Sequence, residues 1–181
     1  MAEIRPAKCP MCGAASCPVG GPIQLHGHGL RERTVLGPGG PDEAATSVTI
    51  AARRYRCVLC DAVIVVVPRE VRGRRQYSAG AIALALALWG VLLATAAEVR
   101  RRVSPAKVVG DTAARGWATL RRWARAAEQK QLFPSVPLPG GQATLRQVAA
   151  AVATALSASA DPATRGHPVE QRAFVGGGQA A

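Results

Sequence analysis

The chain has 181 residues, 23 Lys and Arg against 11 Asp and Glu, and only 4% aromatic residues. Such a length allows one domain of ordinary size or two very small ones. A net charge of +12 excludes nothing about fold but favours a polyanionic partner, meaning nucleic acid or an anionic membrane surface.

The excess charge is uneven. Residues 1–60 carry 7 basic and 4 acidic groups, residues 61–130 carry 13 and 5, and residues 131–181 carry 3 and 2. A composition loaded with Arg, Ala and Gly accounts for part of the total, but not for its concentration in the middle. Five cysteines are too few and too uneven for a secreted disulfide scaffold. The opening residues lead into no apolar run of a secretory leader, so a reducing cytoplasm is the expected compartment, where paired cysteines point to metal.

Four cysteines form two pairs, Cys9-Pro10-Met11-Cys12 and Cys57-Val58-Leu59-Cys60. A two-residue gap lets a tight turn aim both thiolates at one ion, and two such turns complete a tetrahedral Cys₄ site for Zn²⁺. Gly13 supplies the positive φ that the first turn needs, and Lys8, Arg54 and Arg56 would offset the charge of the tetrathiolate. The long interval between the pairs contains Gly37-Pro38-Gly39-Gly40-Pro41, an inserted loop between strands. Cys17, His26 and His28 are spare ligand candidates. Cys17 reads more simply as a loop thiol, and His26-Gly27-His28-Gly29 as turn or strand-end chemistry.

Residues 1–68 are predicted to be β: short extended stretches at Pro22–Leu30 and Arg33–Leu36, a strand within Ala45–Arg56, and the β-branched run Ala62–Val67 ended by Pro68. Strand, knuckle and strand around one metal make a zinc ribbon, a three-stranded antiparallel sheet too small to fold without its ion. A basic connector follows, Arg69–Gln76, including Arg74 and Arg75. Tyr77–Ala97 carries no charge and is long enough for a membrane span, although Ala and Gly fill much of it and basic clusters flank both ends. A core helix N-capped by Ser78 and weakened or ended at Gly90 is the preferred expectation.

A second helix is predicted over residues 94–103, closed by Ser104-Pro105, and a third from about Ala113 to Glu128, N-capped by Asp111 or Thr112. In the third, Trp117, Leu120 and Ala124 form an apolar stripe beside Trp123, and Arg115, Arg121, Arg122 and Arg125 occupy the other faces. Residues 131–141 are predicted as a linker, 142–158 as an Ala-rich helix, and 159–181 as a disordered tail. The expected class is therefore α+β: a small zinc ribbon followed by a helix-turn-helix-like module over residues 69–130.

No HExxH, GxSxG, GxxxxGK[ST] or GxGxxG occurs, and the carboxylates are scattered over predicted loops, strand edges and helix ends. No catalytic residues are assigned and no enzyme activity is expected. Double-stranded DNA is the expected partner, with the ribbon on the backbone and the third helix in the major groove. Trp117, Leu120 and Trp123 would pack that helix on the first. Arg121, Arg122 and Arg125, with Arg74, Arg75 and Arg115, are the candidate DNA contacts. The alternatives are a single-span membrane protein using residues 77–97 and a zinc-ribbon interaction adaptor.

The order CPxCG, RRYRCxxC, a β-branched strand ending at Pro68, the Tyr77-Ser78 helix start and Gly116–Trp123 resembles the zinc-ribbon plus helix-turn-helix N-terminal region of bacterial insertion-sequence transposases and of related small standalone proteins. The likeness spans about residues 8–128. It implies recognition of transposon-end DNA, with a second copy of the chain or a partner transposase as protein partners. The 53 residues after Glu128 are too short for the RNase-H-like catalytic domain of that family, so the resemblance implies DNA binding without strand transfer, in a truncated transposase or a standalone regulator or accessory protein of a mobile element.

Overall fold

The computed structural model describes residues 5–71, 75–108, 110, 116–138 and 140–180. The fold is α+β, a three-stranded antiparallel sheet followed by helices, and it divides into two compact units. The first holds the residues up to Thr34 with Thr49–Pro68; the second holds Val35–Val48 and the residues from Arg69 onward.

In the sheet, β1 (Leu25–Gly37), β2 (Thr46–Cys57) and β3 (Val63–Val66) lie in that order. β2 and β3 are antiparallel, with Arg54 opposite Val65 and Arg56 opposite Val63. The two extended stretches expected before residue 37 are one continuous strand. Within it Gly29 takes φ 79, a left-handed conformation that glycine adopts without strain. Gly37 ends the strand at φ 123, where a Cβ would lie 2.5 Å from the Cβ of Ala81. The segment beyond it is not free: Arg102 donates to the carbonyls of Pro41 and Glu43 at 2.6 and 2.8 Å, and Gln171 donates to Asp42. One of the three consecutive arginines at 100–102 thus holds a loop.

Helix α1 (Ala79–Gly90) starts where the side chain of Ser78 accepts from the Ala81 N–H at 3.1 Å. It is the centre of the second unit, with Ala79 through Ala87 essentially removed from water. The uncharged stretch at 77–97 does not continue as one helix. Gly90 lies against the backbone of Ala149 and Ala150, and Leu93 turns the chain at φ 56. Twelve residues rise about 18 Å, short of the ~30 Å of a bilayer core, and no helix among the described residues is long and apolar enough to cross a membrane.

Helix α2 (Ala96–Val103) opens on a capping box between Thr95 and Glu98, and α3 (Ala118–Glu128) follows Trp117 without a side-chain cap. The expected start of the third helix near Ala113, and its caps Asp111 and Thr112, lie outside the described residues. Helices α2 and α3 both pack on α1, and direct packing between them is slight at most. Tyr77, Trp117 and Trp123 meet edge-to-face with centroids 5.0–5.9 Å apart, and the Tyr77 hydroxyl bonds Ser104 Oγ at 2.8 Å.

Two expectations are corrected beyond Lys130. Residues 131–141 do not form a free linker, because Leu132, Phe133 and Val136 are buried in the main core. The predicted disordered tail contains a 3₁₀ turn (Pro162–Thr164) and α5 (Val169–Gln179). Helix α5 packs on α1 and on α4 (Leu145–Ala158), itself opened by a Thr144–Gln147 capping box. Its glycines are the means of packing. A Cβ on Gly176 would collide with the Leu156 carbonyl, and one on Gly177 with Ala83 and the Ala79 carbonyl. Glycine-rich composition here signals close helix approach, not lack of structure.

These contacts separate three adjacent glycines. Gly176→Ala and Gly177→Ala gain about 1 kcal/mol of helix propensity but overpack a contact with no room. Each is expected to lower stability by about 1–3 kcal/mol. Gly178, with nothing within 4 Å, keeps only the propensity gain, so Gly178→Ala should raise the melting temperature. Thermal denaturation of the three variants checks the sign of each.

Candidate metal centre

Each cysteine pair sits on a turn of the same construction. In the first, Gly13 N–H donates to the Cys9 carbonyl (2.9 Å) and Cys9 N–H to the Ala14 carbonyl (2.8 Å); in the second, Asp61 N–H donates to Cys57 (2.9 Å) and Cys57 N–H to Ala62 (3.0 Å). The residues flanking the turns are paired equivalently, Lys8 with Ala15 and Arg56 with Val63. Both turns close on a left-handed residue, Gly13 at φ 75 and Asp61 at φ 60. Asp61 is the site element that sequence reasoning missed. Its signal was its position, directly after the second cysteine as Gly13 is, together with the tolerance of Asp for that conformation. The Arg56 side chain reaches across the turn to bond its carboxylate.

The two turns bring all four sulfur atoms within 4.8 Å of one another. Cys9 and Cys60 are 3.7 Å apart, as are Cys12 and Cys57. A tetrahedral site with metal–sulfur bonds near 2.3 Å has edges of about 3.8 Å, so the four thiols fit such a centre. Cys9 and Cys57 are buried, while Cys12 and Cys60 are exposed. Among the described residues, no other group of three or more His, Cys, Asp or Glu is gathered in this way. Cys17 stays outside it, exposed and accepting from Arg5 at 3.4 Å. His26 and His28 are exposed on β1, with Nε2 of His26 donating to the Ile23 carbonyl.

The thiols are unequal as acids. The Cys12 backbone amide is the largest influence lowering Cys9, to about 7, with the Met11 amide and neighbouring thiols helping against burial. At Cys60 the Ala62 amide lowers the value, but burial and the three other sulfurs together push it up to about 12. Crowded thiolates repel one another, and a bound cation reverses that preference. The Cys9 proton leaves near neutrality, whereas that of Cys60 would leave when a metal displaces it.

The candidate DNA contacts are distributed differently. Arg121, Arg122 and Arg125 form one exposed face of α3, opposite the buried Leu120, Trp123, Ala124 and Ala127. None of the three arginines has an ion-pair or hydrogen-bond partner among the described residues. Arg75 is half-buried and engaged within the protein. Arg74 and Arg115 lie outside the described residues.

The purified chain is expected to take up one divalent thiophilic ion, measured as metal per chain. Cys12→Ser or Cys60→Ser should lower the affinity by orders of magnitude, and Cys17→Ser should leave it unchanged. Binding competes with protons at Cys9 and still more at Cys60. Affinity should therefore fall as pH drops from about 8 towards 5, with protons released on loading. A scan of protein-family models and searches of curated proteins and solved structures find no match to this chain.

Proposed function

We propose that the protein is a zinc-dependent, non-catalytic DNA-binding protein of the insertion-sequence transposase type, an accessory or regulatory relative lacking strand-transfer activity. Zinc is the natural ion for four thiolates at tetrahedral spacing, and it would hold the first unit as a zinc ribbon. The observation that carries DNA binding is the face of α3. Three unpartnered guanidinium groups project from a helix whose opposite side is fastened into the core by Leu120 and Trp123. A rigid helix presenting Arg121, Arg122 and Arg125 suits a major groove, where phosphates flank guanine edges.

The relation to transposases rests on the order of the cysteine turns, the Tyr77-Ser78 helix start and the Trp-Leu-Arg-Arg-Trp segment. Within it α3 takes the part of the reading helix. The slight packing between α2 and α3 departs from a tight helix-turn-helix pair, so α3 is positioned chiefly by α4, with α1 beside it. The cytoplasm is the compartment in which four reduced thiols would keep their ion.

Duplex binding at low salt, followed as salt is raised, tests the proposal. Affinity should fall steeply through counterion release. Reversing all three charges (Arg121→Glu, Arg122→Glu, Arg125→Glu) should weaken binding at least tenfold and flatten the log–log salt slope by about 3, near 0.9 per lost phosphate contact. No duplex binding by the zinc-loaded parent rules DNA binding out. Unaltered affinity in the triple variant rules out α3 and favours a zinc-stapled interaction adaptor.

A further inference from the structure

His26-Gly27-His28-Gly29 lies outside the thiol cluster but opens β1, whose residues 26–32 are all exposed. The sheet it joins has two unlike faces. Tyr55 and Cys57 of β2 are buried, and Cys57, Leu25 and Ile64 share the small core at the thiols. Alternation along a strand turns Arg54 and Arg56 to the opposite side, with their cross-strand partners Val65 and Val63. Those valines are 39% and 49% exposed, so this second face is open beside β3, whereas Ala52 further along β2 on the same side is buried. His28 and Arg56 line one shallow depression on the sheet. Gly29 leaves a bare Cα under Arg54, for a Cβ built there would lie 3.7 Å from Nη2 of that arginine.

The charge here is one-sided. The three strands contain five arginines, at 31, 33, 53, 54 and 56, against the single acid Glu32. Asp61 occupies Arg56, whereas Arg54 has no ion pair among the described residues and its Nε is buried without a hydrogen bond. We propose that the open face of the sheet is a second contact surface for duplex DNA, with Arg54 on a phosphate and Val63 and Val65 against deoxyribose. It rests on the DNA-binding function proposed for α3, but uses the other unit of the chain. Alternating basic and apolar side chains match the alternation of phosphate and sugar along a backbone. Tyr55, the only Phe, Trp or Tyr among the strand residues, is buried on the opposite face. The rings near this open face are the imidazoles of His26 and His28, so a run of unpaired bases meets no Phe, Trp or Tyr platform there, which favours a duplex over a single strand.

The test uses the full zinc-loaded chain and salt titration of binding to one duplex. Val65→Glu places an acid opposite Arg54 at an exposed position, and Arg54→Gln removes the charge without altering β3. Each should weaken binding several-fold and flatten the salt slope by about one. Zinc content equal to the parent shows that the turns are intact, and Arg54→Gln decides the matter if Val65→Glu loses its ion. If both variants bind as the parent does, the sheet surface is overturned and α3 stands. Loss in the sheet variants but not in the α3 charge reversals upholds the surface and overturns the helix. A parent that binds no duplex overturns both, and variants impaired only towards single-stranded DNA or RNA overturn the duplex assignment.

Discussion

Four sulfur atoms within 4.8 Å of one another are the constraint on which the β unit depends. The buried cluster there is Cys9, Leu25 and Cys57, with Ala14 and Ile64 against it. A few buried side chains, at about 1.5–3 kcal/mol each, cannot offset an ordering cost of roughly 1–2 kcal/mol for every residue fixed. Ion binding at such a site supplies on the order of 10–16 kcal/mol, enough to decide the balance. The two turns satisfy the geometry by repeating one hydrogen-bond pattern, and the long hairpin between them lets distant sequence meet.

The helical unit solves a different problem. Its centre, α1, is built mostly from alanine and leucine, with glycine at Gly80 and Gly90. Small side chains bury little area singly, so stability has to come from close approach and dispersion across many contacts. Gly90 against the Ala149–Ala150 backbone, Gly176 against Leu156 and Gly177 against Ala83 are the places where this is most demanding. Larger residues, the Tyr77–Trp117–Trp123 group and Leu132 with Phe133, fill what the narrow helices leave open. The same packing fixes α3, so its arginines project from a rigid support.

Arginine has several physical roles in this one chain. Arg102 spends its guanidinium on the carbonyls of Pro41 and Glu43, and Arg56 pairs with the carboxylate that closes a cysteine turn. Arg146 stacks over Trp89 at 5.4 Å. Arg121, Arg122 and Arg125 remain turned to solvent. A net charge summed over the sequence counts all of these alike. The charge available to a polyanion is what remains after internal partners have taken theirs.

The features legible in the sequence were those governed by short range. The two cysteine turns, the Ser78 cap and the apolar stripe of Leu120, Trp123 and Ala124 follow from spacings of two to four residues. Asp61 as the counterpart of Gly13 was masked because Asp is common in ordinary turns. The joining of two stretches into one β1 and the folding of the Gly-rich segment into α5 depended on neighbours far along the chain, whereas Gly90 as the end of α1 was already legible. Glycine reads as a breaker while it is alone and as a close-packing surface once another backbone lies against it. By itself, then, the sequence determined the four candidate metal-binding thiols and the amphipathic character of α3, since residue type and local period suffice for both. Only the tertiary structure decided which glycines pack, which arginines are consumed and which sheet face stays open, because each is settled by partners that no local pattern contains.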